Sequence, residues 1–228
     1  KLFEKNKFKF IFHFAAQPGV RYSLINPKSY IDNNINGFFN IINCARKYPP
    51  KLILYASSSS VYGDQKKFPI KENYNAKPKN IYALSKKNNE DLAKIYADFY
   101  NLKIIGLRFF TVYGEWGRPD MFYLKYLYAL KNNKTLKLNN YGNHVRDFTY
   151  ISDVIEIINL LIFTKPRKNH EIFNICSNKP MRLKTLIRNF DRIAGKKGKL
   201  IKVALQKTDV IKTHGDNSKI NQITKKRN

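Results

Sequence analysis

Tyr82-Ala83-Leu84-Ser85-Lys86, preceded by Leu52-Ile53-Leu54-Tyr55-Ala56-Ser57-Ser58-Ser59-Ser60-Val61-Tyr62-Gly63, is the stretch from which the rest of the chain is read. A tyrosine and a lysine four apart on a helix share one face, so the ammonium can lie near the phenol and favour its ionised form. A free phenol titrates at about 10, too high to accept a proton near neutrality, and a fixed cation is the simplest way to lower it. The apolar run Leu52 to Tyr55 reads as a buried strand that ends in a polar loop. In open α/β sheets ligands gather at the carboxyl ends of strands, so the serine run is placed to supply a second hydroxyl. On its own, Tyr-x-x-x-Lys arises by chance in any lysine-rich chain.

Working outward, the first half alternates short apolar runs with longer amphipathic ones, the βαβ rhythm of a parallel sheet. Strands are expected at Phe8 to Phe14, Leu52 to Tyr55 and Lys103 to Phe109, with helices at Ile31 to Tyr48 and Tyr82 to Tyr100. Further on, Tyr123 to Lys131, Ser152 to Phe163 and Leu183 to Ala194 read as helices, and Glu171 to Ile175 as a strand returning to the sheet. Leu136-Lys137-Leu138 is expected to begin a short hairpin-like passage ending at Tyr141-Gly142-Asn143.

The 228 residues carry 43 Lys plus Arg against 16 Asp plus Glu, a formal charge of +27. Such a balance raises the question of nucleic acid. The lysines are scattered, however, and the densest stretches, Lys165-Pro166-Arg167-Lys168 and Lys196-Lys197-Gly198-Lys199, lack interleaved aromatics for base stacking. The charge is therefore read as solvated faces, part of which attracts an anionic substrate. Cys44 and Cys176 are far apart and without metal-ligand spacing, which fits reduced core thiols in a cytoplasmic protein. The four histidines have no partner pattern, so no metal is expected. No apolar run reaches the ~18 residues of a membrane helix.

Three more motifs accompany the first two: His13-Phe14-Ala15-Ala16-Gln17-Pro18-Gly19-Val20-Arg21-Tyr22-Ser23, Leu107-Arg108-Phe109-Phe110-Thr111-Val112-Tyr113-Gly114-Glu115-Trp116-Gly117-Arg118-Pro119-Asp120-Met121, and Tyr141-Gly142-Asn143-His144-Val145-Arg146-Asp147-Phe148-Thr149-Tyr150-Ile151. In this order, over nearly the whole chain, they resemble the extended short-chain dehydrogenase/reductase family, in its NAD-dependent epimerase/dehydratase branch. Within that branch the likeness is to nucleotide-sugar epimerases acting on UDP-glucuronate. The resemblance implies an α/β fold: a partial Rossmann-like, doubly wound parallel sheet lacking its first strands, with a smaller mixed α/β lobe. Residues 1–114 would be the remainder of the NAD-binding domain. Residues 115–228 would be mostly the nucleotide-sugar lobe, with 146–178 returning to the Rossmann sheet.

The resemblance also implies roles. Tyr82 is the catalytic base, Lys86 binds the nicotinamide ribose and lowers the phenol, and Ser58 bridges the substrate hydroxyl and Tyr82. The run Ser57-Ser58-Ser59-Ser60 leaves the acting serine open, with Ser59 and Ser60 as substrate contacts. Ala15, Ala16 and Gln17 line NAD, and Asn34 fixes the cofactor loop or simply bridges helix and strand. Arg146 binds the UDP diphosphate, the structural alternative being a pair with Asp147, and Arg21 also faces substrate. Thr111 and Arg118 restrain a sugar carboxylate, guanidinium suiting carboxylate bidentately; the alternative for Arg118 is a surface or interface arginine. Related dehydratases carry an Asp-Glu pair where this chain has Ser59 and Ser60. A serine cannot replace a carboxyl group in protonating a leaving group at neutral pH, so epimerisation without elimination is the better reading. One departure is Ser152, where the family more often has an acidic residue.

The expected activity is conversion of UDP-glucuronate to UDP-galacturonate for polysaccharide synthesis by a homodimer formed through the Ile31 to Tyr48 and Tyr82 to Tyr100 helices. UDP-hexose 4-epimerisation is a second enzyme reading, and an inactive piece that only binds nucleotide sugar is a third. No Gly-x-x-Gly-x-x-Gly fingerprint is present and the first glycine is Gly19, so the chain reads as a fragment lacking roughly 80 residues, the size of a first half-Rossmann unit. Its far end reads as cut as well. The phenylalanine-rich strand at Phe8 to Phe14 is then expected at a raw sheet edge, which invites aggregation. Expressed as written, the chain should be poorly soluble and bind NAD weakly; a monomeric sample that melts cooperatively and binds NAD tightly would contradict this.

Overall fold

The computed structural model describes residues 1–164 and 166–224; Lys165, within one of the basic stretches, and residues 225–228 lie outside the described residues. Among them nine strands are present: β1 (Phe10–His13), β2 (Leu52–Ser58), β3 (Ile104–Phe109), β4 (Thr111–Tyr113), β5 (Thr135–Asn139), β6 (Val145–Tyr150), β7 (His170–Ile175), β8 (Pro180–Arg182) and β9 (Lys199–Val203). A four-stranded, all-parallel sheet runs β1-β2-β3-β7. The parallel sheet is the one expected from the alternating pattern, and its Rossmann-like α/β architecture is the one the resemblance implies.

Strand parity explains how this sheet is buried on both faces. Leu52 and Leu54 of β2, with Ile105, Leu107, Phe173 and Ile175, pack against Val154, Ile158 and Leu161 of the helix Ile151–Ile162. Ile53, Tyr55 and Ile104 face the other way, onto Phe38, Ile42 and Ala45 of Gly37–Lys47 and Ala93 and Ala97 of Ile81–Tyr100. A strand covered on both sides reads as a continuous apolar run, as β2 and β3 do. β1 lies at the edge of the sheet, with Phe12 43 % and Phe14 38 % exposed.

Four expectations are corrected. The passage from Leu136 is no hairpin: β5 pairs in parallel with β9, more than fifty residues on, across register Thr135↔Lys199 to Asn139↔Val203. The helix expected from Ile31 opens as a π-helical segment, Ile31–Asn36, before becoming α-helical at Gly37. Cys44 is exposed and only Cys176 is a core thiol. The strand β2 also runs on through Ser57 and Ser58, so half of the serine run is strand and not loop.

Gly63 closes the serine turn. After the short helical turn Ser59–Tyr62 the chain takes φ 59° and ψ −145° at Gly63, and a Cβ there would fall 2.0 Å from the carbonyl oxygen of Lys77. That neighbour is backbone and cannot swing aside. Gly63→Ala should therefore lower stability by about 2 kcal/mol or more, seen as an earlier urea midpoint; an unchanged midpoint would mean that the turn is not held in this conformation.

Candidate active site

The polar ends of β2 and β3 open into a cleft of about 540 Å³ lined by Ser58, Ser59, Ser60, Tyr82, Thr111, Arg118 and Arg146. The first and last of these are 88 positions apart in the sequence: the serines come from the end of β2 and the turn after it, Tyr82 from the helix Ile81–Tyr100, and Thr111, Arg118 and Arg146 from β4, the loop after it and β6. The helix Ile81–Tyr100 starts at Asn80, whose side-chain Oδ1 accepts from the backbone N–H of Ala83 at 2.9 Å. Tyr82 thus sits in the first turn, where the helix dipole favours a negative charge.

Ser58 lies against the Tyr82 phenol, and that hydrogen bond together with the Arg118 charge favours the ionised ring; burial acts against them and is the larger effect, so Tyr82 stands above the usual phenol range. The lowering influence expected from Lys86 is not what the geometry gives. Lys86 is buried, its Nζ donates to the carbonyl of Ala56 at 2.9 Å, and desolvation brings its own pKa down to about 8. The cation acting on Tyr82 is Arg118, which lines the same cleft.

The serine run is sorted by strand parity. Ser57 shares the parity of Ile53 and Tyr55, faces the helix Ile81–Tyr100, and donates to the buried Glu90 carboxylate at 2.5 Å. Ser58 points the other way; its Oγ accepts from the backbone N–H of Ser60 at 3.1 Å and borders the cleft. Ser57 is therefore absent from the lining, and Ser58, Ser59 and Ser60 form it.

On the β1 side, Asn34 is buried and clasps the loop after the strand. Its Oδ1 accepts from the Gln17 N–H at 2.7 Å, and its Nδ2 donates to the Gln17 carbonyl at 3.1 Å and to Ser85 Oγ at 3.0 Å. Ser85 in turn donates to the Tyr82 carbonyl at 2.8 Å, so the loop is tied to the turn that carries Tyr82. Ala16 and Gln17 are half-buried and Ala15 is exposed, with small side chains leaving the loop open to an approaching group. Neither they nor Asn34 and Lys86 line the cleft itself.

At the far wall, Arg146 donates to the carbonyls of Val210 at 2.7 Å and Ile211 at 3.0 Å. It does not pair with Asp147, which is fully buried and accepts from Ser177 and the Gly215 N–H. Arg21 stands outside the lining and is held by Asp209 at 2.7 Å. Arg118 pairs with Asp120 at 2.9 Å and remains 42 % exposed at the rim. Thr208 and Asp209 also line the cleft, and His144 lies buried 3.6 Å from Asp209 with its pKa lowered to about 4, chiefly by burial. Sequence reasoning named neither Asp209 nor His144 as a site residue. The segment around Asp209 has no periodic signal, and its place depends on pairing with residues more than sixty positions earlier.

An ammonium has three donors, and the bond to Ala56 takes one of them, leaving Lys86 able to meet the hydroxyls of a ribose beside Tyr82. The open loop at Ala15 to Gln17 and this buried amine fit a nicotinamide nucleotide.

Comparison with known proteins gives the family. The family model described as "NAD dependent epimerase/dehydratase family" matches residues 1–176. An uncharacterised protein of Methanocaldococcus jannaschii is 45 % identical over 92 % of this chain, and the chain spans 64 % of its length. The probable UDP-glucuronate 4-epimerase of Rhizobium meliloti is 36 % identical over 89 % of the chain and 65 % of its own length. Among solved structures, the UDP-glucuronic acid 4-epimerase of Bacillus cereus, in complex with UDP-glucuronic acid and NAD, superposes with a TM-score of 0.93 at 28 % identity, covering 98 % of this chain and 71 % of that one. Serines at the carboxyl end of β2 beside a helix-borne tyrosine, the match over residues 1–176 and the close superposition lead to one conclusion: the chain belongs to the NAD dependent epimerase/dehydratase family.

Proposed function

We propose that this protein inverts C4 of a UDP-hexuronic acid, interconverting UDP-glucuronate and UDP-galacturonate through a transient 4-keto sugar. The observation that carries the reading is the Tyr82 phenol against Ser58 in the same cleft as Ser59, Ser60, Thr111 and Arg118. The R. meliloti and B. cereus relatives, named for this activity, support it. On this reading residues 1–114 serve mainly the cofactor and 115–228 mainly the sugar nucleotide.

Tyr82 takes the proton from the sugar 4-hydroxyl, with Ser58 bridging the two oxygens. NAD, when bound, supplies the hydride acceptor at C4 and the donor for the return. Lys86 would hold its ribose, and Asn34 keeps the Ala15 to Gln17 loop in place beside it. Turning of the sugar about its phosphate linkage would present the other face of C4 for return of the hydride, and the same phenol gives its proton back to the 4-oxygen. Ser59 and Ser60 offer hydroxyls where elimination of water would need a carboxyl group. The two acidic residues lining the cleft are engaged elsewhere, Glu115 by the Tyr150 hydroxyl and Asp209 by Arg21.

A 4-keto uronate is a β-keto acid and loses carbon dioxide readily unless its carboxylate is turned away from the geometry that aligns the breaking bond with the carbonyl. Thr111 and Arg118 are the groups proposed to hold it. Arg118 is bound bidentately by Asp120 through Nε and Nη2 at 2.9 and 3.1 Å, and on this reading its Nη1 donates to the sugar carboxylate. Arg146 and Arg21 supply positive charge for the diphosphate. The exposed Leu84, Ile95 and Phe99 of Ile81–Tyr100, with Phe39 of Gly37–Lys47, support the homodimer, and no helix among the described residues is long and apolar enough to cross a membrane. A cytoplasmic setting is part of the proposal.

With saturating NAD, Tyr82→Phe should lower kcat for UDP-glucuronate by about 10²- to 10⁴-fold while calorimetry still finds UDP-glucuronate binding; parental turnover would remove Tyr82 from the mechanism. Arg118→Ala should lower kcat/KM for UDP-glucuronate about tenfold or more beyond its effect on UDP-glucose, the loss of its charge near Tyr82 being common to both sugars. Equal activity on the neutral sugar, with an equal loss on substitution, would shift the reading to a UDP-hexose epimerase.

A further inference from the structure

The registers of β2, β3 and β7 place Ser57, Arg108 and Asn174 side by side in one row across the sheet. All are buried; Ser57 and Arg108 bond to Glu90 of the helix Ile81–Tyr100, and Asn174 bonds to Tyr62 and to the Ile70 carbonyl. One turn below, the row is apolar, with Tyr55 packed over Gly106. A polar rung thus crosses the sheet immediately beneath the cleft.

Glu90 covers this rung. It is two helical turns after Tyr82 and one after Lys86, on the same stripe of the helix. Its Oε1 accepts from Ser57 Oγ at 2.5 Å and Arg108 Nε at 2.8 Å, and its Oε2 from Arg108 Nη2 at 2.7 Å. Arg108 extends the connection in two further directions, donating to the Glu72 carbonyl at 3.0 Å and lying 4.6 Å over the Tyr62 ring. Tyr62 ends the turn that begins at Ser59, and its hydroxyl donates to Asn174 at 2.7 Å. The serine turn is consequently gripped at both ends, at Ser57 and at Tyr62, by one carboxylate and its arginine.

We infer that Glu90 is a positioning residue for the Ser58 hydroxyl, acting through Ser57, with Arg108 fixing the carboxylate and the far end of the turn. Because neighbouring strand residues face opposite ways, holding Ser57 down onto Glu90 holds Ser58 up toward Tyr82. The same helix carries Tyr82, so the anchor sets the distance between the two reacting hydroxyls and not only the pose of one. A uniformly apolar rung would pack the sheet as well but would leave the serine run free to turn.

The inference rests on the proposed function for its rate measurement alone. Ser57→Ala, Ser57→Thr, Glu90→Gln and the double variant Ser57→Ala/Glu90→Gln are compared with the parent chain by hydrogen exchange over residues 56–63, and by kcat and KM for UDP-glucuronate at saturating NAD. The Ser60 amide, which donates to Ser58 Oγ, reports the serine pose directly. Ser57→Ala should exchange there about tenfold faster and lose about tenfold or more in kcat with KM within about twofold, Ser57→Thr should restore both, and the double variant should be no slower than Glu90→Gln. Unchanged exchange at Ser60 in Ser57→Ala overturns the inference whatever the activity, as does a fully additive loss in the double variant. A parent chain without epimerase activity counts against the proposed function, and the exchange comparison still decides the positioning role.

Discussion

A carboxylate buried beneath the cleft, Glu90 on Arg108, is the interaction on which the rest of the structure turns. Both side chains are about 95 % or more buried, and each would be costly alone in that environment. Paired through two short hydrogen bonds, they fasten the helix carrying Tyr82 to the central strands that carry the serines. Removing either partner of such a pair typically costs about 3–5 kcal/mol because the other charge stays behind without compensation. The arrangement also explains a sequence pattern that propensity alone does not, namely polar Ser57, Arg108 and Asn174 each one residue before the end of a strand whose middle is apolar.

Electrostatics at Tyr82 follow from where the ring sits. Burial opposes ionisation, and Ser58, Arg118 and the helix N-terminus favour it. Lys86, one turn along, is directed at a backbone carbonyl of β2 and serves best as a binding group. The spacing of four residues places the two side chains on one stripe, but rotamer and partner decide where each terminal atom goes. A shared face is thus weaker information than a shared contact. The Tyr30 ring, 6.2 Å from Tyr82 in edge-on contact, further limits the motion of the phenol.

Much of the fold was legible because its strands are buried on both faces and its helices are amphipathic over several turns. β2, β3 and β7 and the helix Leu183–Ala194 lie where the hydrophobic pattern places them. The short strands β4, β6 and β8 were not legible, since three to six mixed residues such as Thr111–Tyr113 carry no decisive period. The β5–β9 pairing failed for another reason: parallel partners are distant in sequence, and a local turn-like stretch at Tyr141-Gly142-Asn143 invited a hairpin. Within the site, parity along β2 could have separated Ser57 from Ser58 before any coordinates, because Ile53 and Tyr55 share its face. Asp209 and His144 were out of reach, their proximity arising only when the segment after β9 folds back beside β6.

The chemistry proposed for the cleft makes C4 the atom at which hydrogen leaves and returns. UDP-glucuronate carrying deuterium at C4, incubated in ordinary water with the protein and saturating NAD, tests this most directly. Transient oxidation in a closed cleft predicts UDP-galacturonate that retains the deuterium at C4. Product that has exchanged its label for solvent hydrogen would contradict the account, since the inversion would then proceed by proton abstraction from carbon.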